Sequence, residues 1–177
     1  MEYTYKIALS YALTDEDTVK KVYHYLKAEG ISVFFASAPE CQIVLSGKNQ
    51  REIFYEIFGI KAEYVALFVS SHYIGREVPM EEAGIAFAKH SANGSVIPIY
   101  MDDAILPEDM FNPKETNYFK SNNPIEIANH LATKIRAANV FQLDAEDDTK
   151  SGNIINIKNN KAKKQIFVHK LEGNINL

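Results

Sequence analysis

A chain of 177 residues with 46% hydrophobic content can bury a full core, and its formal charge of −4 and pI near 5.7 argue against a nucleic-acid binder that works by neutralising phosphates. A single cysteine, Cys41, excludes an internal disulfide and fits a reducing compartment. No apolar run approaches the ~18 residues that span a bilayer, and the opening MEYTYKIALSY lacks the charged-then-apolar layout of an export signal, so a cytoplasmic protein without membrane partners is expected.

Residues 5–11 (YKIALSY) read as a first strand. Thr14 opens a helix with Asp17 three residues on, a near capping box, and Val19, Val22, Tyr23 and Leu26 recur at core-facing spacing. Gly30 ends that helix in the left-handed conformation. Residues 31–35 (ISVFF) form a second strand, and residues 36–48 a long loop holding Pro39, Cys41 and Gly47. Loops of that length inside a compact domain are usually functional or mobile. A second helix covers residues 49–58, with Ile53, Phe54, Ile57 and Phe58 on one side.

The stretch VALFVSSHYIGREVPMEEAGIAFA, residues 65–88, organises the rest. Its apolar, β-branched start suits a strand buried on both faces, and Ser70-Ser71 end it. Pro79 fits the first helical turn, and Glu81 and Glu82 lie where the helix dipole favours negative charge. Residues 95–101 (SVIPIYM) give a fourth strand in which Pro98 removes one ladder donor, and residues 117–119 a short fifth. Pro124 starts the last helix, with Ile127, Leu131 and Ile135 on its apolar face. The alternation of strand and helix predicts a parallel sheet with helices on both faces. The carboxyl ends of its strands border a ligand crevice.

From about Ala138 the character changes. Three segments are expected: a domain over residues 1–138, an acidic linker over 139–152 around DAEDD, and a β-strand extension over 153–177. In the extension, residues 153–158 and 165–171 alternate apolar and polar positions around the basic turn NKAKK. Such a hairpin needs a partner surface, either its own domain or other subunits.

Taken together, KIALSYALTDED, GISVFF with the loop to Gly47-Lys48, SSHYIGREVPMEE and SVIPIYMDD resemble, in order, four motifs of the bacterial TIR (Toll/interleukin-1 receptor) domain. The resemblance covers residues 5–136 and implies a flavodoxin-like, doubly wound, five-stranded parallel sheet, here with a short C-terminal β-hairpin added. It also implies cleavage of the nicotinamide–ribose bond of NAD, as substrate rather than cofactor, by hydrolysis or cyclisation to a signal nucleotide. Glu82 falls at the family's catalytic glutamate. Activation by assembly, self-association through TIR–TIR contacts, a partner sensor or effector protein and a role in bacterial antiphage immunity follow as expectations. The sequence departs from the family where Val78 replaces a tryptophan, Ala36 an acidic residue after the second strand, and Ser46 an aromatic residue.

One carboxylate suffices for that chemistry. Nicotinamide leaves as a neutral base from a cationic pyridinium, so no acid has to protonate it, unlike the leaving oxygen of an ordinary glycoside. Positive charge develops on the ribose, where a fixed carboxylate stabilises it. Read from the residues alone, Glu82 is more commonly an exposed glutamate placed for the helix dipole, and Glu81 is its neighbouring decoy about 100° round the helix. Ser10 and Tyr11 border the crevice or simply pack at a strand end. Phe35 stacks on a ligand ring or belongs to the core. The resemblance places Ala36 and Val78 at pocket-wall positions. Lys48 meets a phosphate or is solvated, and Asp15 and Asp17 are better read as caps than as ribose ligands. The histidines show no ligand spacing and no metal is expected. Cys41 has no helix start beside it in the sequence to activate a thiolate.

Two other readings remain in view, an adaptor and a deoxyribosyltransferase, and a third, a phospho-receiver, is set aside. A non-catalytic TIR adaptor suits the missing tryptophan and loop acid. A phospho-receiver needs carboxylates after the first and third strands, where this chain has Ser10-Tyr11 and Ser70-Ser71. A nucleoside deoxyribosyltransferase shares the glutamate chemistry but explains the long loop less well.

Overall fold

The computed structural model describes residues 3–90, 92, 94–112 and 118–150, with side chains as far as residue 138 except at position 50. Five parallel strands make one sheet: β1 (Tyr5–Ser10), β2 (Val33–Phe34), β3 (Ala62–Val69), β4 (Val96–Tyr100) and β5 (Phe119–Lys120), in the order β2-β1-β3-β4-β5. This is the doubly wound α/β arrangement expected of the sequence. β3 is buried at every residue but Glu63, which is why its sequence is a continuous apolar run rather than an alternating one.

The helices are α1 (Glu16–Ala28), α2 (Pro39–Leu45), α3 (Gln50–Glu56), α4 (Ser71–Ile74), α5 (Glu77–His90) and α6 (Pro124–Lys150). α1 packs on α6, while α5 packs on α3 and on the π-helical turn Ile57–Lys61 that leads into β3. The expected core stripes are buried: Val19, Val22, Tyr23 and Leu26 on α1, and Ile127, Leu131 and Ile135 on α6. Gly30 caps α1 at φ 77°, a conformation that a Cβ disfavours.

Four expectations change. The long loop over residues 36–48 contains α2: Pro39 serves as its first residue and Gly47, at φ 73°, follows its Ser46 cap, so residues read as loop punctuation are helix boundaries. Cys41 therefore does lie near a helix start, but it is buried among apolar groups that push its thiol pKa up. Asp15 precedes α1 without a side-chain capping bond; its carboxylate accepts from Ser70 Oγ at 2.6 Å. The stretch over residues 139–150, expected as part of an acidic linker, continues α6 to Lys150, because neither glycine nor proline interrupts the chain between Pro124 and Gly152. The strands expected over 153–177 lie outside the described residues.

Pro98 is accommodated by register. Met101 N–H donates to Val69 and the Ser95 carbonyl accepts from Val65, so odd-numbered residues of β4 face β3 and Pro98 faces the other side. There β5 pairs only with Ile99 and Tyr100. The missing N–H falls where no strand asks for it.

Candidate active site

The order β2-β1-β3 makes the space above β1 and β3 the switch point, where successive connections leave in opposite directions. Ser10 ends β1, Ser70 follows β3, and α5 runs across both strands and β4. Pro79, Glu82, Ala83, Ala86 and His90 form the inner face of α5 at helical spacing, so Glu82 occupies a position that an apolar residue would normally fill. Glu81, a third of a turn away, points outward and pairs with Arg51 Nε at 3.4 Å. The helix thus separates the two adjacent glutamates.

Glu82 is 7% exposed. Ser10 Oγ donates to its Oε2 at 2.5 Å and lies 2.7 Å from Tyr73 Oη, and Tyr73 donates to the Pro79 carbonyl at 2.8 Å. Tyr73 is itself fixed by its N–H, which donates to Ser70 Oγ at 3.1 Å. Burial pushes the Glu82 carboxyl up to about 8; the Ser10 bond opposes that rise and the nearby Glu81 charge adds to it. Burial likewise pushes the Tyr73 phenol well above its ordinary range. No cation acts on Glu82 among the described residues. The site is an acceptor without a fixed counterion, suited to positive charge that arrives with a ligand.

In front of this network lies a cleft of about 500 Å³ lined by Tyr11, Ala12, Leu13, Arg76, Glu77, Val78 and Pro79. Tyr11 and Val78, both expected at the pocket, are in its wall; Ser10 is one layer behind, joined to Glu82. Phe35 lies in the core, with Tyr11 stacked on it at 5.3 Å and Tyr23 at 5.0 Å. Ala36 is half-buried, and its carbonyl accepts from Gln42 Nε2. Lys48 is exposed in the turn between α2 and α3, away from the cleft wall. Arg76 and Tyr73 were not singled out as site residues by the sequence. Tyr73 had a usable signal as part of the Ser-x-Tyr motif before the glutamate, whereas Arg76 follows no periodicity.

A doubly wound α/β domain with a buried carboxylate at its switch point is a recognisable class, and comparison with known proteins places it. A model of the TIR domain family matches residues 7–126, and the chain belongs to that family. It is similar to the 3′ cyclic ADP-D-ribose synthase AaTIR of Aquimarina amphilecti, 31% identical over 147 residues, an alignment covering 78% of this chain and 42% of the relative. The chain thus spans about two fifths of that relative's length. Its fold resembles the crystal structure of the TIR domain of the Toll-related receptor TRR-2 from Hydra magnipapillata, at a TM-score of 0.53 and 15% identity over 75% of this chain and 99% of the other.

Among the described residues no group of three or more His, Cys, Asp or Glu side chains is disposed to hold a metal ion, and no helix is long and apolar enough to cross a membrane.

Proposed function

We propose that this TIR domain cleaves the nicotinamide–ribose bond of NAD, with Glu82 as the catalytic carboxylate. The observation that carries the reading is the environment of Glu82: a buried carboxyl at the strand switch point, held by Ser10 and lacking a cation among the described residues, beside a cleft large enough for part of a dinucleotide. The name of the AaTIR relative, a cyclic ADP-ribose synthase, supports the same chemistry.

Buried without a cation among the described residues, the carboxyl holds its proton at neutral pH, since its pKa is about 8. A pyridinium brought close favours the ionised form. As the glycosidic bond lengthens, its electrons leave with nicotinamide and positive charge builds on the ribose, opposite the carboxylate. Water attacking the ribosyl carbon gives linear ADP-ribose; a hydroxyl of the same molecule arriving first gives a cyclic product. Glu82 lies behind the cleft wall, so catalysis needs a shift of residues 11–13 or 76–79. Assembly of TIR domains is the trigger we propose for that shift, with a partner sensor or effector protein and antiphage immunity as its setting in the cell.

A second reading, a non-catalytic TIR interaction module, is favoured by the same sequestration and by the covered Phe35 ring. Assaying NAD loss by the full chain over rising protein concentration, wild type beside Glu82→Gln with products separated by chromatography, decides between them. Turnover by wild type alone supports the enzyme. Inactivity of both under conditions where sedimentation shows assembly supports the module.

A further inference from the structure

The cleft in front of Glu82 is lined by two charged side chains of opposite sign, Arg76 and Glu77. Glu77 is turned toward Arg51, 3.6 Å from its Nη2, and the same guanidinium meets Glu81 at 3.4 Å. The acids at this rim therefore have a shared partner. Arg76 makes no ion pair among the described residues. Its backbone is nevertheless fixed: its N–H donates to Tyr73 and its carbonyl accepts from Met80 N–H at the first turn of α5. The result is an exposed guanidinium facing a cleft, anchored through its backbone to α4 and α5, in a chain whose net charge is −4.

We infer that Arg76 holds the diphosphate of the dinucleotide while Glu82 faces the ribose. The inference rests on the NAD-cleaving reading. Arg76 stands immediately before α5 in the cleft wall, and Glu82 lies on the inner face of the second turn of the same helix, behind that wall. In the substrate only the sugar and its 5′-methylene separate the ribosyl carbon from the first phosphate, so a carboxylate at the ribose calls for a cation close by in the same cleft. Among the described residues lining it, Arg76 is the one cation. A guanidinium fork matches two phosphate oxygens at once, which an ammonium does not. Ala12, Leu13 and Val78 supply apolar wall for the rest of the ligand. Arg76 is thus a binding and positioning residue, and it takes no part in the bond that breaks.

Steady-state kinetics of NAD cleavage by the full chain, paired with calorimetric binding of ADP-ribose to the Glu82→Gln protein, test this. Replacing Arg76 by Ala raises KM, and the dissociation constant for ADP-ribose, by about tenfold or more while kcat stays within about twofold. Arg76→Lys lies between, because it keeps the charge and loses the fork. Added salt weakens ADP-ribose binding to the Glu82→Gln protein and has a smaller effect once Arg76 is also replaced. KM and ADP-ribose affinity unchanged in both Arg76 variants overturn the inference and leave the NAD-cleaving reading intact. A wild-type chain that neither consumes NAD nor binds ADP-ribose overturns both.

Discussion

Two carboxylates stand at the same edge of one sheet and are treated in opposite ways. Glu82, over the switch point between β1 and β3, is buried with a single hydroxyl donor, and its carboxyl titrates at about 8. Asp102, just beyond β4, accepts from the backbone N–H groups of Ser71 and Ala104, each at 2.8 Å. Partial burial opposes ionisation of Asp102, but the backbone donors outweigh it and its carboxyl titrates below the ordinary range. The Asp102 charge is spent on tying α4 to the β4 end. The Glu82 charge has no such partner, which is how a carboxylate is left free to meet a cation. Depth raises the pKa of the one and fixed backbone donors lower that of the other, and the two together separate a structural acid from a poised one.

The comparison predicts the largest effect at Glu82. Glu82→Gln lowers NAD turnover by about 100-fold, on the order of 3 kcal/mol of transition-state stabilisation, whereas Glu81→Gln leaves it within about twofold. Turnover also reports the proton: kcat/KM for wild type climbs as pH rises through about 8, the value for the free protein. Stability runs the other way. The folded pKa lies above the ordinary 4.5, so the contribution of protonated Glu82 is full below about 4.5 and is lost as pH rises through about 8. Glu82→Gln therefore unfolds at higher denaturant than wild type at pH 9 and at similar denaturant at pH 4. Each pH unit between the ordinary and the folded pKa is worth about 1.4 kcal/mol, so the gain is at most on the order of 5 kcal/mol. An unpaired amide N–H reduces it. A stability difference that does not change with pH would mean the carboxyl is not poised at all.

Asp102→Ala gives the mirror image. The variant loses about 1–2 kcal/mol, the usual worth of a side-chain cap on exposed backbone donors, and NAD turnover changes little. The loss is present above the ordinary aspartate pKa of 3.8 and fades as pH falls through the lower folded value, because wild type then loses the same bonds. Chemical denaturation at pH 7 and over a descending series of acid pH values follows the loss. A fall in turnover as large as that of Glu82→Gln would erase the distinction between the two acids.

How much of this was legible in the sequence differs between the two halves of the site. The sheet, the core stripes of α1 and α6, and the helix carrying Glu82 follow from local periodicity and caps, which the sequence states directly. That Glu82 rather than Glu81 faces inward is also legible, since Pro79, Ala83 and Ala86 share its face. The bonds that set its proton are not: they span 72 residues in the pair Ser10–Glu82 and 63 in the pair Ser10–Tyr73. α2 was hidden because Pro39 and Gly47 mark helix ends and loops alike. The covered ring of Phe35 depends on Tyr11 and Tyr23 arriving from two other elements.

Ser10 sharpens the comparison by a smaller amount. Its hydroxyl is the donor that partly offsets burial at Glu82, so Ser10→Ala raises the carboxyl pKa further and moves the rising limb of kcat/KM to more alkaline pH. A limb that moves toward acid would show that Ser10 stabilises the protonated form instead.

The smallest effect is expected at Lys48. Its ammonium is exposed in the turn after α2, outside the wall formed by Tyr11, Arg76 and Val78. An exposed charge that does not touch the ligand is screened over roughly 8 Å at physiological salt, so it steers a dinucleotide only weakly. Lys48→Ala accordingly changes KM for NAD by less than about twofold and leaves kcat unaltered in a steady-state assay at physiological salt. Raising the protein concentration into the range where it assembles puts the same substitution to a harder test. A tenfold rise in KM seen only there would mean that the turn between α2 and α3 moves against a cleft when domains meet, and that Lys48 and Arg76 then share the phosphates.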